Sequence, residues 1–138
     1  MNARARGNWQ GMNWIRQEKR LAIYLRDGLA CCWCGASVDG EATQLTLDHL
    51  VPHIHGGSND ATNLVTSCHK CNTSRGTRSI PKFAQVVAAY INHGLTAKAV
   101  EDHVRKCARR SLVPHLSAAK ALIAERGSAS AVLLSQKG

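Results

Sequence analysis

Four cysteines stand in two matched pairs, Cys31-x-x-Cys34 and Cys68-x-x-Cys71. Each pair has the spacing of a zinc knuckle, which aims two thiolates at one point, and two knuckles close a tetrahedral Cys₄ site. Four sulfur ligands leave no open position, so such an ion staples the chain and does no chemistry. Cys32 is a rival for Cys31, but Cys32 and Cys34 are too close in sequence to form a knuckle. Cys32 and Cys107 are read as non-ligand thiols, with Cys107 on an apolar helix face. Between and after the pairs lie Asp48-His49, Asn63, Asn72 and Arg75. Phosphodiester hydrolysis needs a base to activate water, a hard cation to stabilise charge on the phosphate, and positive groups to hold the backbone in line. Asp48 offers a carboxylate and Asn72 an amide oxygen, both suited to Mg²⁺ or Mn²⁺. His49 has the side chain type that can be neutral near pH 7, as a base requires. Taken singly these residues are weak signals; their order inside a zinc-closed module carries the reading.

The full pattern is Cys31-x-x-Cys34, Asp48-His49-x-x-Pro52, Gly56-Gly57, Asn63-Leu64, Cys68-x-x-Cys71-Asn72, Arg75-Gly76. It closely resembles the HNH endonucleases, the ββα-metal fold found in phage and restriction enzymes and in one nuclease domain of RNA-guided CRISPR effectors. The resemblance covers about a third of the chain. It implies two strands and a helix around one catalytic metal, and cleavage that leaves 5′-phosphate and 3′-hydroxyl ends. By its terms Asp48 is the first metal ligand, His49 the general base and Asn72 the last ligand. Asn63 is the residue whose side chain bridges the loop and orients the base, and Arg75 contacts a phosphate near the scissile bond. Some toxin-type members carry a further His four positions after the last ligand. Gly76 stands there in this chain, which implies only two protein ligands and favours Mg²⁺ or Mn²⁺ over Zn²⁺ as the catalytic ion. His53 and His55 are weaker candidates for positioning the phosphate, since loop histidines are more often solvated. His69 falls inside a knuckle, exposed or near the backbone, and His93, His103 and His115 are read as structural.

Local elements must hold these groups. Asn13 is the expected N-cap of a helix running to Arg26 and stopped at Asp27-Gly28. Its apolar residues, Ile15, Ala22 and Leu25 with Trp14 and Leu21, fit a helical period only fairly. Residues 44–47 alternate as a short strand that ends at Asp48-His49. Adjacent strand residues point to opposite sides, so Asp48 and His49 reach one phosphate only if the strand ends or twists there. Pro52 and the run from Gly56 to Asp60 supply a loop. Residues 63–66 read as the second strand, and 70–75 as a short helix ended by Gly76. Beyond Ser79 the period becomes helical: Ile80, Phe83, Val87 and Tyr90 on one helix, then Ala97, Val100, Val104 and Cys107 behind a Thr96 cap, then Pro114 to Arg126. The expected fold is α+β, a ββα-metal module with zinc knuckles flanked by an N-terminal helix and C-terminal helices. Its divisions are a flexible basic arm (1–12), the nuclease module with its N-terminal helix (13–79), a helical extension (80–127) and a loose tail (128–138).

A chain of 138 residues suits one compact domain. Aromatics are only 4% of it, so the core rests on aliphatic side chains and a metal staple would help. The net charge is +9, pointing to a polyanionic partner. The charge is segregated: residues 1–30 hold six bases and two acids, 31–78 three and four, 79–138 nine and three. Basic flanks thus surround a near-neutral centre. On the C-terminal helices Lys98, Arg105, Lys106, Arg109, Arg110 and Lys120 form either a phosphate-binding face or an ordinary solvated surface. No apolar signal region follows Arg4 and Arg6, and no segment is long and apolar enough to span a membrane, so a reducing cytoplasm, bacterial or that of a phage-infected host, is expected. There the cysteines read as metal ligands before disulfides. The leading expectation is a DNA endonuclease acting on duplex DNA as a monomer or homodimer. Two other readings stay open: a zinc-stapled DNA-binding module without catalysis, and a nuclease that cuts RNA.

Overall fold

The computed structural model describes residues 14–40, 43–91 and 94–137. The arm at 1–12, the Asn13 cap and His93 lie outside these. The elements are helix α1 (Gln17–Arg26), strands β1 (Leu45–His49) and β2 (Leu64–Cys68), then helices α2 (His69–Arg75), α3 (Ile80–Tyr90), α4 (Ala97–Arg109), α5 (Val113–Arg126) and α6 (Ala129–Ser135). The strands pair antiparallel, from Leu45 opposite Cys68 to His49 opposite Leu64, and α2 leaves β2 with no linker. This is the mixed α+β, ββα arrangement that the motif order implies. Among the described residues no helix is long and apolar enough to cross a membrane.

The caps explain where the C-terminal helices begin. Ser79 Oγ accepts from the Lys82 amide, and Thr96 Oγ1 accepts from the Ala99 amide at 3.1 Å. Each satisfies an amide that the first turn would otherwise leave unpaired. The tail departs from expectation. Ser128 Oγ accepts from Ala131 N at 3.0 Å, and Ala129 and Val132 are buried. Residues 129–135 therefore form a docked helix, because a cap and two small apolar side chains suffice once α1 offers a surface; the Ala129 amide also donates to Gln17 Oε1 at 2.9 Å.

Helix α1 lies between the sheet and the C-terminal helices, which accounts for its blurred periodicity. Leu21, Ala22, Ile23 and Tyr24 are each fully buried, so apolar residues run around the helix instead of along one stripe. They pack with Leu45, Leu47, Leu64 and Val132 in one cluster. On the other side of the sheet Trp33, Leu50, Val65, Phe83, Val87 and Val104 form a second. Leu64 and Val65 are neighbours in β2 yet belong to different clusters, as strand alternation requires. A buried ion pair locks α1 to β2. Arg26 Nε donates to Asp27 Oδ1 at 2.8 Å, Arg26 Nη2 to the Leu64 carbonyl at 2.7 Å, and Asp27 Oδ2 accepts from the Thr66 amide at 2.8 Å. Asp27 thus satisfies an outward amide of β2, which among the described residues pairs with β1 alone.

Candidate active site and zinc centre

Cys31, Cys34, Cys68 and Cys71 converge, with all four sulfurs within 4.8 Å of one another. A tetrahedral ion with Zn–S bonds of about 2.3 Å sets its sulfurs about 3.8 Å apart. The Cys34 and Cys68 sulfurs are 3.8 Å apart. Both knuckles are formed, since the Cys34 amide donates to Cys31 Sγ and the Cys71 amide to Cys68 Sγ. The Cys31 thiol is held far below the ordinary range by hydrogen bonds from Cys34, Cys68 and Cys71, while Cys71 is pushed far up by its own neighbours, Cys31 first and then Cys34 and Cys68. Cys68 is also lowered and Cys34 raised, so two of the four thiols ionise readily and two resist. A divalent cation removes that resistance, so the donor set fits zinc.

Next to the second knuckle, where Asn72 follows Cys71, an open cavity of about 420 Å³ is lined by residues that include Trp14, Asp48, His49, His53, His69 and Asn72. Strand β1 ends at His49, so Asp48 faces inward and His49 stands at the strand's last position, half-exposed. Asn72 Nδ2 donates to Thr46 Oγ1 and to the Leu47 carbonyl, each at 3.0 Å. A carbonyl can only accept, and Thr46 spends its own proton on Ser67 O at 2.9 Å, so the amide orientation is fixed. Both Asn72 amide hydrogens are used, and Oδ1 is the group it has left to offer.

Asp48 is 4% exposed and strongly engaged. Arg75 Nη1 donates to both its oxygens at 2.8 Å, and Trp33 Nε1 donates to Oδ2 at 2.9 Å. Burial raises its pKa, and the Arg75 charge and hydrogen bonds and the Trp33 N–H oppose that rise. A carboxylate has about four acceptor directions, and three are taken. Asp48 and Asn72 together can therefore present two hard oxygens to the cavity, a sparse set that fits an ion keeping most of its shell from water and phosphate, as Mg²⁺ does.

Arg75 was expected to touch a phosphate; its surroundings assign it another task. It is 1% exposed, and its remaining N–H groups donate to the carbonyls of Arg78 at 3.0 Å, His49 at 3.0 Å and Leu50 at 2.7 Å. Every branch of the guanidinium is spent inside the protein, so it ties α2 to the end of β1 instead of reaching solvent.

The expected role of Asn63 divides between two residues. Asn63 does bridge the loop: its Oδ1 accepts from the Val51 amide at 2.8 Å, and its Nδ2 donates to Val51 O at 3.1 Å and Ser58 O at 2.8 Å. The partner of the His49 ring is instead Asn59, whose Oδ1 lies 2.8 Å from Nε2. The tight loop needs Gly57, where an added Cβ would fall 1.7 Å from the Val51 carbonyl oxygen. It also needs Gly56 at φ 86°, a left-handed conformation.

The sequence profile of the family described as HNH endonuclease matches residues 31–78. That match spans about a third of the chain, the stretch that carries both cysteine pairs, Asp48, His49, Asn63 and Asn72. Two relatives are CRISPR-associated endonuclease Cas9 proteins. That of Actinomyces naeslundii is 39% identical over 67 residues, covering 48% of this chain and 6% of the relative. That of Corynebacterium diphtheriae is 36% identical over 52 residues, covering 37% of this chain and 5% of the relative. The chain thus spans only a small fraction of the length of the relatives it matches. No solved structure matches significantly.

Two aromatic residues of the candidate site carried no signal in the sequence. Trp14 stacks on His49 with ring centroids 4.9 Å apart and a 40° tilt, so the segment before α1 forms one wall of the cavity. Trp33 sits within the first knuckle, 5.4 Å below the Arg75 guanidinium and edge-on to Phe83 at 4.8 Å. His53 lies 6.3 Å from His49, while His55 is exposed and not among the residues lining the cavity. Of the basic side chains on α4, Lys98 pairs with Asp102 at 2.7 Å and Arg105 with Glu101 at 3.0 Å, which reduces the charge this face presents.

Proposed function

We propose that the chain is a metal-dependent endonuclease that hydrolyses phosphodiester bonds of duplex DNA, with His49 as the general base. The observation that carries this reading is the convergence of His49, Asp48 and the Asn72 amide on one open cavity. Asp48 and Asn72 would each give one oxygen to a Mg²⁺ or Mn²⁺ ion. That ion supplies a Lewis acid that stabilises charge on the phosphate and the departing oxygen. The protein's own groups do the rest. Asn59 Oδ1 takes the hydrogen of His49 Nε2, which leaves Nδ1 with the lone pair that can remove a proton from water. Trp14 shields one face of the ring and restricts its rotation. Arg75 and Trp33 fix the Asp48 carboxylate so that its remaining acceptor direction is preorganised. The cavity is open, which suits a polymer that must pass through it. The net charge of +9 favours association with a polyanion and makes it salt-dependent.

The test is purified protein with supercoiled plasmid in Mg²⁺, Mn²⁺ or EDTA, with nicked and linear products resolved on a gel. Cleavage is expected with either cation and not in EDTA. His49→Ala should slow it by about 10²–10⁴-fold, the usual worth of a general base, with zinc content and DNA affinity retained. His49→Ala cutting at the wild-type rate would refute the mechanism. Binding without cleavage under every condition would leave a zinc-stapled DNA-binding module as the function.

A further inference from the structure

Among the described residues, outside the Cys₄ centre and the cavity, a second set of metal-capable side chains comes together. Cys32, His103 and Cys107 place one ligand atom each within 4.8 Å of the others. We propose that they form a second metal site, for Zn²⁺ or another thiophilic divalent ion, that staples helix α4 to the first zinc knuckle.

The site is built by two independent features of the chain. Cys31 and Cys32 are adjacent, and while Cys31 joins the Cys₄ cluster, Cys32 joins Cys107 and His103. The Cys32 amide donates to the Thr66 carbonyl at 2.9 Å, which anchors the knuckle to the outer edge of β2. On α4, His103 and Cys107 are four residues apart, one helical turn, so both side chains rise from one face. The gap between Cys107 Sγ and His103 Nε2 is 3.6 Å. An ion with bonds of about 2.3 Å to sulfur and about 2.05 Å to nitrogen, at a tetrahedral angle, holds these atoms about 3.6 Å apart.

The chemistry is consistent with a neutral site, since two thiolates and a neutral imidazole balance a dication. The Asp27 charge acts on both thiols, but its oxygens are committed to Arg26 and to the Thr66 amide. The protein therefore supplies three ligands. Cys32 and Cys107 are buried and His103 is exposed, so the fourth position opens towards the His103 side, where water can complete the shell. The consequence is mechanical. Helix α4 also packs on the ββα module through the apolar residues Val100, Val104 and Cys107, and at its C-cap Arg110 Nη1 donates to the Arg26 carbonyl at 3.5 Å. A metal bond would fix the C-terminal helices to the same knuckle that carries Trp33.

The experiment is zinc content by elemental mass spectrometry on full-length protein purified in reductant, loaded with zinc and dialysed. About two zinc ions per chain are expected, and about one in His103→Ala. His103 is exposed, so that variant should keep its fold, which far-UV circular dichroism checks. In the cobalt-loaded protein, His103→Ala and Cys107→Ser should both remove one set of visible absorption bands and leave the Cys₄ set. Loss of the second ion should also lower the thermal midpoint of wild type towards that of His103→Ala. No second zinc in the wild type would overturn the proposal. So would a mass about 2 Da low, mapping to a Cys32–Cys107 disulfide, in place of the second ion. Failure of the Cys₄ assignment would register separately, as a wild-type zinc content insensitive to Cys68→Ala and Cys71→Ala.

Discussion

The Asp48–Arg75 pair makes the sharpest claim about how the site is held. Replacing Arg75 by Met keeps a long apolar side chain and removes the guanidinium. The side chains of Arg75 and Asp48 are 1% and 6% exposed, so neither gains water in compensation. Asp48 then keeps only the Trp33 indole, and the carbonyls of His49, Leu50 and Arg78 lose their donor. Breaking a buried ion pair by removing one partner typically costs about 3–5 kcal/mol, because the remaining charge is stranded. Domains of this size are stable by only about 5–15 kcal/mol, so the loss is a large share. The assay is urea unfolding of the zinc-loaded protein, followed by tryptophan fluorescence. Burial already raises the Asp48 pKa, and removing Arg75 raises it further, so the deficit should shrink as the pH falls and the carboxyl takes up a proton. Adding Asp48→Asn to Arg75→Met should likewise recover part of the loss at neutral pH. If Arg75→Met unfolds within about 1 kcal/mol of wild type, an ordinary surface effect, the guanidinium is not holding the site and the reassignment of Arg75 is wrong.

Other expectations follow from the same geometry. Asn59→Ala should slow cleavage by about 10–100-fold with stability near wild type, while Asn63→Ala should chiefly destabilise the loop; kinetics and urea melts on both separate the roles. Arg75 neutralises most of the Asp48 charge, so Mg²⁺ titrated calorimetrically should bind weakly to free protein and much more tightly once uncleavable DNA supplies phosphate oxygens. Tyr24, on α1, is fully buried, and that burial pushes its pKa up to about 12 despite the nearby Arg20 charge. The unfolded chain ionises first, near pH 10, so stability should be intact below that and fall as the pH climbs towards 12; Tyr24→Phe should flatten the fall in alkaline unfolding curves.

The parts of the fold legible in the sequence are those fixed by local chemistry. Ser79 and Thr96 are caps whatever surrounds them, and the repeat of Ile80, Phe83 and Val87 defines one apolar face. The cysteine pairs are equally local, because a knuckle needs only its own two-residue spacing. Helix α1 was harder because it is buried on two sides, and a period cannot mark one face when two are covered. The docking of α6 was invisible for a related reason. Ala129 and Val132 are too small to announce a helix, and their burial depends on α1 and α5.

The site divides along the same line, and the division explains how adjacent strand residues serve one cavity. Residue type marked Asp48, His49 and Asn72 as chemistry, but the groups that aim them lie far off in sequence. Asn59 is ten positions from His49, Trp33 fifteen from Asp48, and Arg75 twenty-seven. Strand alternation sends Asp48 inward, where Arg75 and Trp33 seize it, and sends His49 outward, where Asn59 and Trp14 hold its ring. Because β1 stops at His49, both residues still border the cavity. Trp33 belongs to the knuckle between Cys31 and Cys34, so a zinc ion closing that knuckle would also set the indole that grips Asp48. A closed Cys₄ centre has no open position for substrate, yet through that one residue it reaches the carboxylate on which the proposed catalytic ion depends.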